Sequence, residues 1–168
     1  MNYLIVIFVT DKQYVPMSQT LSPISEERFR TLLKSHGLKV TPQRLAVHNA
    51  MLSLVHASAE AVSDFIASTG EKRIAVSTVY NILNHMASLG IYHRRLSADT
   101  TLYFDAVPIN HIHLYNYVSN EFRDIQDPDL LASIEETIKR HRYRGLKVER
   151  VEVNVICHPS RRKKQKQI

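Results

Sequence analysis

Only one cysteine, Cys157, occurs in the 168 residues. That excludes an internal disulfide, and one thiol cannot by itself build a cysteine-rich zinc site. No apolar run approaches the roughly 20 residues that a membrane-crossing helix needs, so a spanning protein is excluded. The first apolar run, Tyr3 to Val9, has no Lys or Arg before it and is short for the core of a secretion signal. It reads as an added strand or an over-called start, with Met17 as the alternative first residue. Acid is missing from the C-terminal end, where Arg161, Arg162, Lys163, Lys164 and Lys166 supply five positive charges. Taking those five from the net charge of +6 leaves +1 for everything before them. The basic balance therefore reports a tail and argues little for nucleic acid. An apolar fraction of 44% and a charged fraction of 23% exclude wholesale disorder. The length suits one ordinary domain or two small ones.

Helical periodicity begins after Ser25. Phe29, Leu32 and Leu33 form a stripe that Gly37 terminates. Thr41-Pro42 supplies a cap followed by proline at the first helical position, where its missing N–H costs nothing. Leu45, Ala46, Val47, Ala50, Met51, Leu54 and Val55 carry this second helix. Ser58 caps a third, with Ala61, Val62, Phe65 and Ile66 facing inward. A fourth runs from about Ala75 to Leu89 and stops at Gly90. Val76, Val79, Leu83, Met86 and Leu89 form its back, and Ser77, Thr78, Tyr80, Asn81 and Asn84 its polar front. Ile91 to Leu96 and Thr101 to Phe104 alternate and read as a hairpin across residues 97–100. Four helices and a hairpin predict a winged helix-turn-helix over residues 21–105, behind an N-terminal extension, 1–20.

Beyond Pro108 the pattern changes. His113 to Val118 and Glu121 to Ile125 predict strands. Asp127-Pro128 opens a helix with Leu130, Leu131, Ile134 and Ile138 on its apolar face, closed by Gly145. Val148 to Ile156 alternates, with Val151, Val153 and Val155 on one face and Arg150, Glu152 and Asn154 on the other. The fold class is thus α+β, with a small α/β dimerisation domain over 106–157 and a basic tail, 158–168. So few residues make a small independent core, which predicts extra burial through a homodimer.

Four segments carry a resemblance. Gly37-Leu38-Lys39-Val40-Thr41-Pro42-Gln43-Arg44, His56-Ala57-Ser58-Ala59-Glu60, Ser77-Thr78-Val79-Tyr80-Asn81-Ile82-Leu83 and His111-Ile112-His113-Leu114 resemble the ferric uptake regulator (Fur) family in order and spacing. The likeness covers about residues 25–157. It implies a dimeric, cytoplasmic, metal-responsive transcription regulator, most simply a repressor, that binds an inverted-repeat operator in double-stranded DNA and no membrane. It is not expected to be an enzyme. The DNA contacts implied are Lys39, Arg44, Ser77, Thr78, Tyr80 and Asn81. Many members have arginine where Asn81 stands; asparagine resembles the peroxide-sensing (PerR-like) branch and favours adenine over guanine or phosphate.

Five positions match the family's regulatory ligand pattern: His56, Asp105, His111, His113 and Asp124. Imidazole nitrogens with carboxylates suit one divalent ion per chain, Fe(II) or Mn(II) first and Zn(II) also. His111 and His113, two apart on a strand, point to one face. Asp124 stands where iron-sensing members have glutamate and peroxide-sensing members aspartate. The family's four-cysteine zinc site is not expected here: Asn116 and Ser119 replace its first pair and only Cys157 remains of the second. The family's occasional extra site loses its ligands at Asn110 and Ile112. Packing of Leu114, Val118, Val151 and Val153 is expected to substitute for zinc. His36, His48, His85, His93 and His141 are read as helix-end or polar-face histidines. Three alternatives remain: an iron-responsive repressor without peroxide chemistry, a mononuclear non-haem metalloenzyme built on His111 and His113, and a metal-independent winged-helix adaptor.

Overall fold

The structure, a computed structural model, describes residues 22–97, 100–148 and 150–159. The run at Tyr3 to Val9, the basic tail from Arg161 and the hairpin tip at 98–99 lie outside them. Two compact units divide between Asn110 and His111.

The first unit is built in the order α1 (Glu26–Ser35), α2 (Pro42–Leu54), β1 (His56–Ala57), α3 (Ala59–Ser68), α4 (Val76–Ser88), β2 (His93–Leu96) and β3 (Leu102–Asp105). Local chemistry sets the helix starts. Ser25, Thr41 and Ser58 each accept a hydrogen bond from the amide three residues on, at Arg28, Arg44 and Ala61. It also sets two stops. After α1, Gly37 lies at φ +69° while its amide donates to Lys34 O and the Leu38 amide to Leu33 O. After α4, Gly90 lies at φ +72°, with amides 90 and 91 donating to Ala87 O and Met86 O. Both are left-handed glycine caps that satisfy the last carbonyls. Phe29, Leu33, Val47, Met51, Val62, Val79, Leu83, Met86, Tyr92 and Phe104 bury together as one core.

A three-stranded sheet of order β1-β3-β2 closes this unit, all pairs antiparallel. The short strand β1 is absent from the sequence reading. It follows Val55, whose φ of +60° turns the chain sharply out of α2, a strained conformation for a β-branched residue. The Ala106 amide donates to Val55 O, and His56 comes opposite Asp105.

The second unit contains β4 (Ile112–Asn116), β5 (Glu121–Ile125), α5 (Pro128–Arg140) and β6 (Val153–Cys157). Its sheet has the order β5-β4-β6, with β5 antiparallel and β6 parallel to β4. Ile112, Val151 and Val153 form its small core, packed by Ile125, Leu131, Ile134, Ile138, Val148 and Val155.

Several expectations need correction. The last strand starts at Val153 instead of Val148. β4 ends at Asn116, so Val118 lies past it and is 64% exposed, while Leu114 is half-buried and outside the core. Neither belongs to the buried core of the single chain. Leu130 is exposed, off the stripe that Leu131, Ile134 and Ile138 form. α5 ends at Arg140, ahead of Gly145. Gly145 instead sits at φ +75° in a turn closed by the Leu146 amide on Tyr143 O, at the third position, where a type II turn requires a positive φ.

Candidate metal centre and nucleic-acid interface

The second unit brings three candidate ligands together. Cross-strand register makes His113 the partner of Asp124 on one side and Asn154 on the other. His111 precedes β4 by one residue, and its ring centroid is 4.1 Å from that of His113. The Nε2 atoms of His111 and His113 lie 3.1 Å and 3.7 Å from the same oxygen, Asp124 Oδ1. Both histidines are buried and Asp124 is partly so. Two imidazole nitrogens converging on a carboxylate oxygen away from bulk water make a borderline donor set that fits a first-row divalent ion. Ile112, between them, faces the opposite side of the sheet and lies in the apolar core.

The first unit holds the other two candidates. His56 Nε2 is 3.6 Å from Asp105 Oδ1. Asp105 is fully buried, its Oδ1 accepts the Val107 amide, and its Oδ2 accepts from Arg95 Nη2 at 3.4 Å. Arg95 is itself buried. An arginine and a main-chain amide thus already hold this carboxylate, a constraint absent from the sequence reading. Arg95 stands beside Asp105 only because β2 pairs with β3, and no spacing motif signals that. Asn154, the register partner of His113, is likewise a neighbour that the sequence reading does not name. Its signal lies in the polar face of the last alternating run.

Among the remaining histidines one reading is overturned. His48 is wholly buried, stacked on Phe29 with centroids 4.0 Å apart, and its Nδ1 is hydrogen-bonded to the Tyr92 hydroxyl at 2.8 Å. Burial lowers its pKa to about 4, opposed in part by the main chain at Ile24 and Ser25 and by the Glu26 charge. Burial likewise pushes the Tyr92 hydroxyl up. His93 Nε2 donates to Pro108 O, His141 caps the end of α5, and His36 and His85 are exposed.

On α4, Val79, Leu83 and Met86 are buried while Val76 and Leu89 pack partly against the core. Ser77, Tyr80 and Asn81 are exposed, and Thr78 and Asn84 half-buried. Tyr80 rests edge-on against Phe104, so it is neither free nor buried. At the start of α2 the Arg44 guanidinium donates to Lys39 O at 2.5 Å, which holds the two candidate phosphate contacts side by side.

A helical triad with a wing, presenting one polar helix face, is the architecture of a winged-helix DNA-binding protein. The chain belongs to the Ferric uptake regulator family, which residues 35–156 match. A peroxide-responsive repressor, PerR, of Staphylococcus aureus (strain Mu50) is 28% identical over 117 residues, covering 68% of this chain and 78% of that protein. Among solved structures, the Vibrio cholerae ferric uptake regulator superposes with a TM-score of 0.65 at 23% identity, covering 78% of this chain and 99% of that one. The Campylobacter jejuni peroxide stress regulator gives 0.59 at 23%, covering 79% and 96%. The Pseudomonas aeruginosa ferric uptake regulator, solved with manganese, gives 0.60 at 25%, covering 79% and 98%. The winged-helix fold and the leaning towards the PerR-like branch are both borne out. The family comprises dimeric, metal-responsive, DNA-binding regulators of transcription and not enzymes, which removes the metalloenzyme alternative.

Proposed function

We propose that this chain is a repressor whose DNA binding depends on one Fe(II) or Mn(II) ion per protomer, and that peroxide releases the iron form from its operator. The observation that carries the reading is the convergence of His111 and His113 on Asp124 Oδ1. His56 and Asp105 complete the proposed ligand set. Because those two belong to the reading unit and the other three to its neighbour in sequence, joint ligation would hold the recognition helices of a dimer at one spacing. A coupling of about 1–3 kcal/mol, typical of allosteric linkage, changes DNA affinity about 5- to 150-fold. Ser77, Thr78, Tyr80 and Asn81 read the inverted repeat from α4, while Arg44 and Lys39 hold phosphates. When bound, Fe(II) supplies one-electron reduction of peroxide, which Mn(II) in the same ligands does not. Asp124, one methylene shorter than glutamate, leaves more room beside His111 for a small oxidant. His56 and His111 are the ligand side chains expected to be oxidised.

Two measurements test this. Asn81→Ala is expected to lose about 1–3 kcal/mol of discrimination at one base position. Arg44→Ala is expected to weaken binding to every sequence alike, as loss of a phosphate contact does. Unchanged affinity in both variants for an inverted-repeat duplex would refute the recognition-helix assignment. Peroxide treatment of the Fe(II) form is expected to abolish DNA binding and add one oxygen to the peptides holding His56 or His111, while the Mn(II) form keeps its affinity. Unmodified peptides with reversible iron control would make it an iron-responsive repressor instead.

A further inference from the structure

The connection between α5 and β6 carries a positive surface that neither the recognition helix nor the proposed ligands use. From Lys139 to Lys147 the chain has five Lys and Arg residues and no acid; the next acid in sequence is Glu149. Two of the five are accounted for. Lys139 and Arg140 lie in the last turn of α5 and pair with Glu135 and Glu136 at 3.0 Å and 2.5 Å. They also oppose the carbonyl end of the helix, an attraction that dies away within one turn. Arg142, Arg144 and Lys147 lie beyond that turn, are exposed, and join no acid in an ion pair among the described residues.

Scattered exposed cations would be an ordinary solvated surface. These three instead line one open cavity of about 510 Å³, together with Tyr143, Leu146 and Val148. The backbone beneath them is shaped by the Tyr143–Leu146 turn, with Arg144 at its corner. Three cations that join no ion pair among the described residues, on an open concave surface, suit an extended polyanion. None of the described lining residues is buried, so nothing among them encloses a small anion.

We propose that Arg142, Arg144 and Lys147 contact the phosphodiester backbone of double-stranded DNA without regard to sequence, from the second unit and in addition to α4. This rests on the DNA-binding reading above. Each phosphate neutralised releases condensed counterions and steepens the dependence of affinity on salt.

The test uses the full-length, metal-loaded protein carrying Arg142→Gln, Arg144→Gln and Lys147→Gln together. Binding is measured from 50 to 200 mM salt on an inverted-repeat duplex and on a scrambled duplex of equal length. For each protomer whose segment engages, the log–log slope is expected to shrink by about 2.7, so the wild type loses about 40-fold more affinity over that range than the variant. The change should be equal on both duplexes. Arg142→Lys with Arg144→Lys keeps the charge and should keep the slope, which separates loss of charge from loss of fold. An unchanged slope, a loss confined to the inverted repeat, or an effect seen only with single-stranded RNA would overturn the proposal. Asn81→Ala, run alongside, separates the two readings. If it loses operator preference while the glutamine variant keeps its slope, α4 reads DNA and this surface does not. If the glutamine variant loses slope while Asn81→Ala changes nothing, the backbone contact stands and the base-reading assignment falls.

Discussion

Burying His48 between Phe29 and Tyr92 gives the reading unit an acid-sensitive point unrelated to metal. Its ring stays neutral in the folded protein until pH falls to about 4, whereas an unfolded histidine takes its proton near pH 6.5. Across that window the unfolded chain binds more protons, so stability rises with pH and is lost as pH drops from 6.5 towards 4. The interval corresponds to about 3 kcal/mol at most. His48→Gln keeps a polar partner for the Tyr92 hydroxyl but carries no titrating proton. Urea unfolding at pH 7.5, 6 and 4.5 should therefore show a flatter loss of stability in His48→Gln than in the wild type. Parallel curves would mean that other groups govern the acid limb.

Among the helices, α4 begins differently from the rest. Ser25, Thr41, Ser58 and Asp127 each cap with a side-chain oxygen, whereas Ala75 precedes α4 with no side-chain hydrogen bond. Ala75 has the extended backbone that an N-cap serine adopts, with φ −57° and ψ 138°. Ala75→Ser should stabilise the protein by about 1 kcal/mol, read as a higher urea midpoint at unchanged slope. No gain would show that the serine hydroxyl cannot reach the amides of the first turn. The same comparison explains what was legible in the sequence. Caps, prolines at the first helical position and the glycines at 37 and 90 act within a few residues, so all five helices could be read directly. β1 could not, because two residues have no period and their partners, Phe104 and Asp105, lie far along the chain. Gly145 does not end α5 as its sequence context predicts, because a positive φ serves a turn as well as a helix end. At the candidate site, the His111–His113 spacing and Asp124 on the next predicted strand were legible. The Arg95–Asp105 pair and the Asn154 neighbour arise from strand register, which only the folded sheet fixes.

Across the whole chain there is a single cysteine, Cys157, at the end of the second unit's last strand. Asn116 and Cys157 are register partners in the β4–β6 pair, and the Tyr117 amide donates to Cys157 O. One thiol cannot close a tetrahedral zinc site. Main-chain pairing between β4 and β6 and the Ile112–Val151–Val153 core join this sheet in the described residues. A strong chelator should therefore leave the dimer assembled in sedimentation while DNA affinity falls. Dissociation to monomers reversed by zinc alone would reveal a structural site elsewhere.

The parallel pairing of β4 with β6 also sets an order of events during synthesis. β5 follows β4 at once, but a lone two-stranded hairpin is marginal in water. The strand carrying His113 gains its second neighbour only after α5 and the turn at Gly145 have left the ribosome. Residues 22–110 contain all three described strands of the first sheet. The growing chain therefore completes its DNA reader while the part that would govern it is still being made.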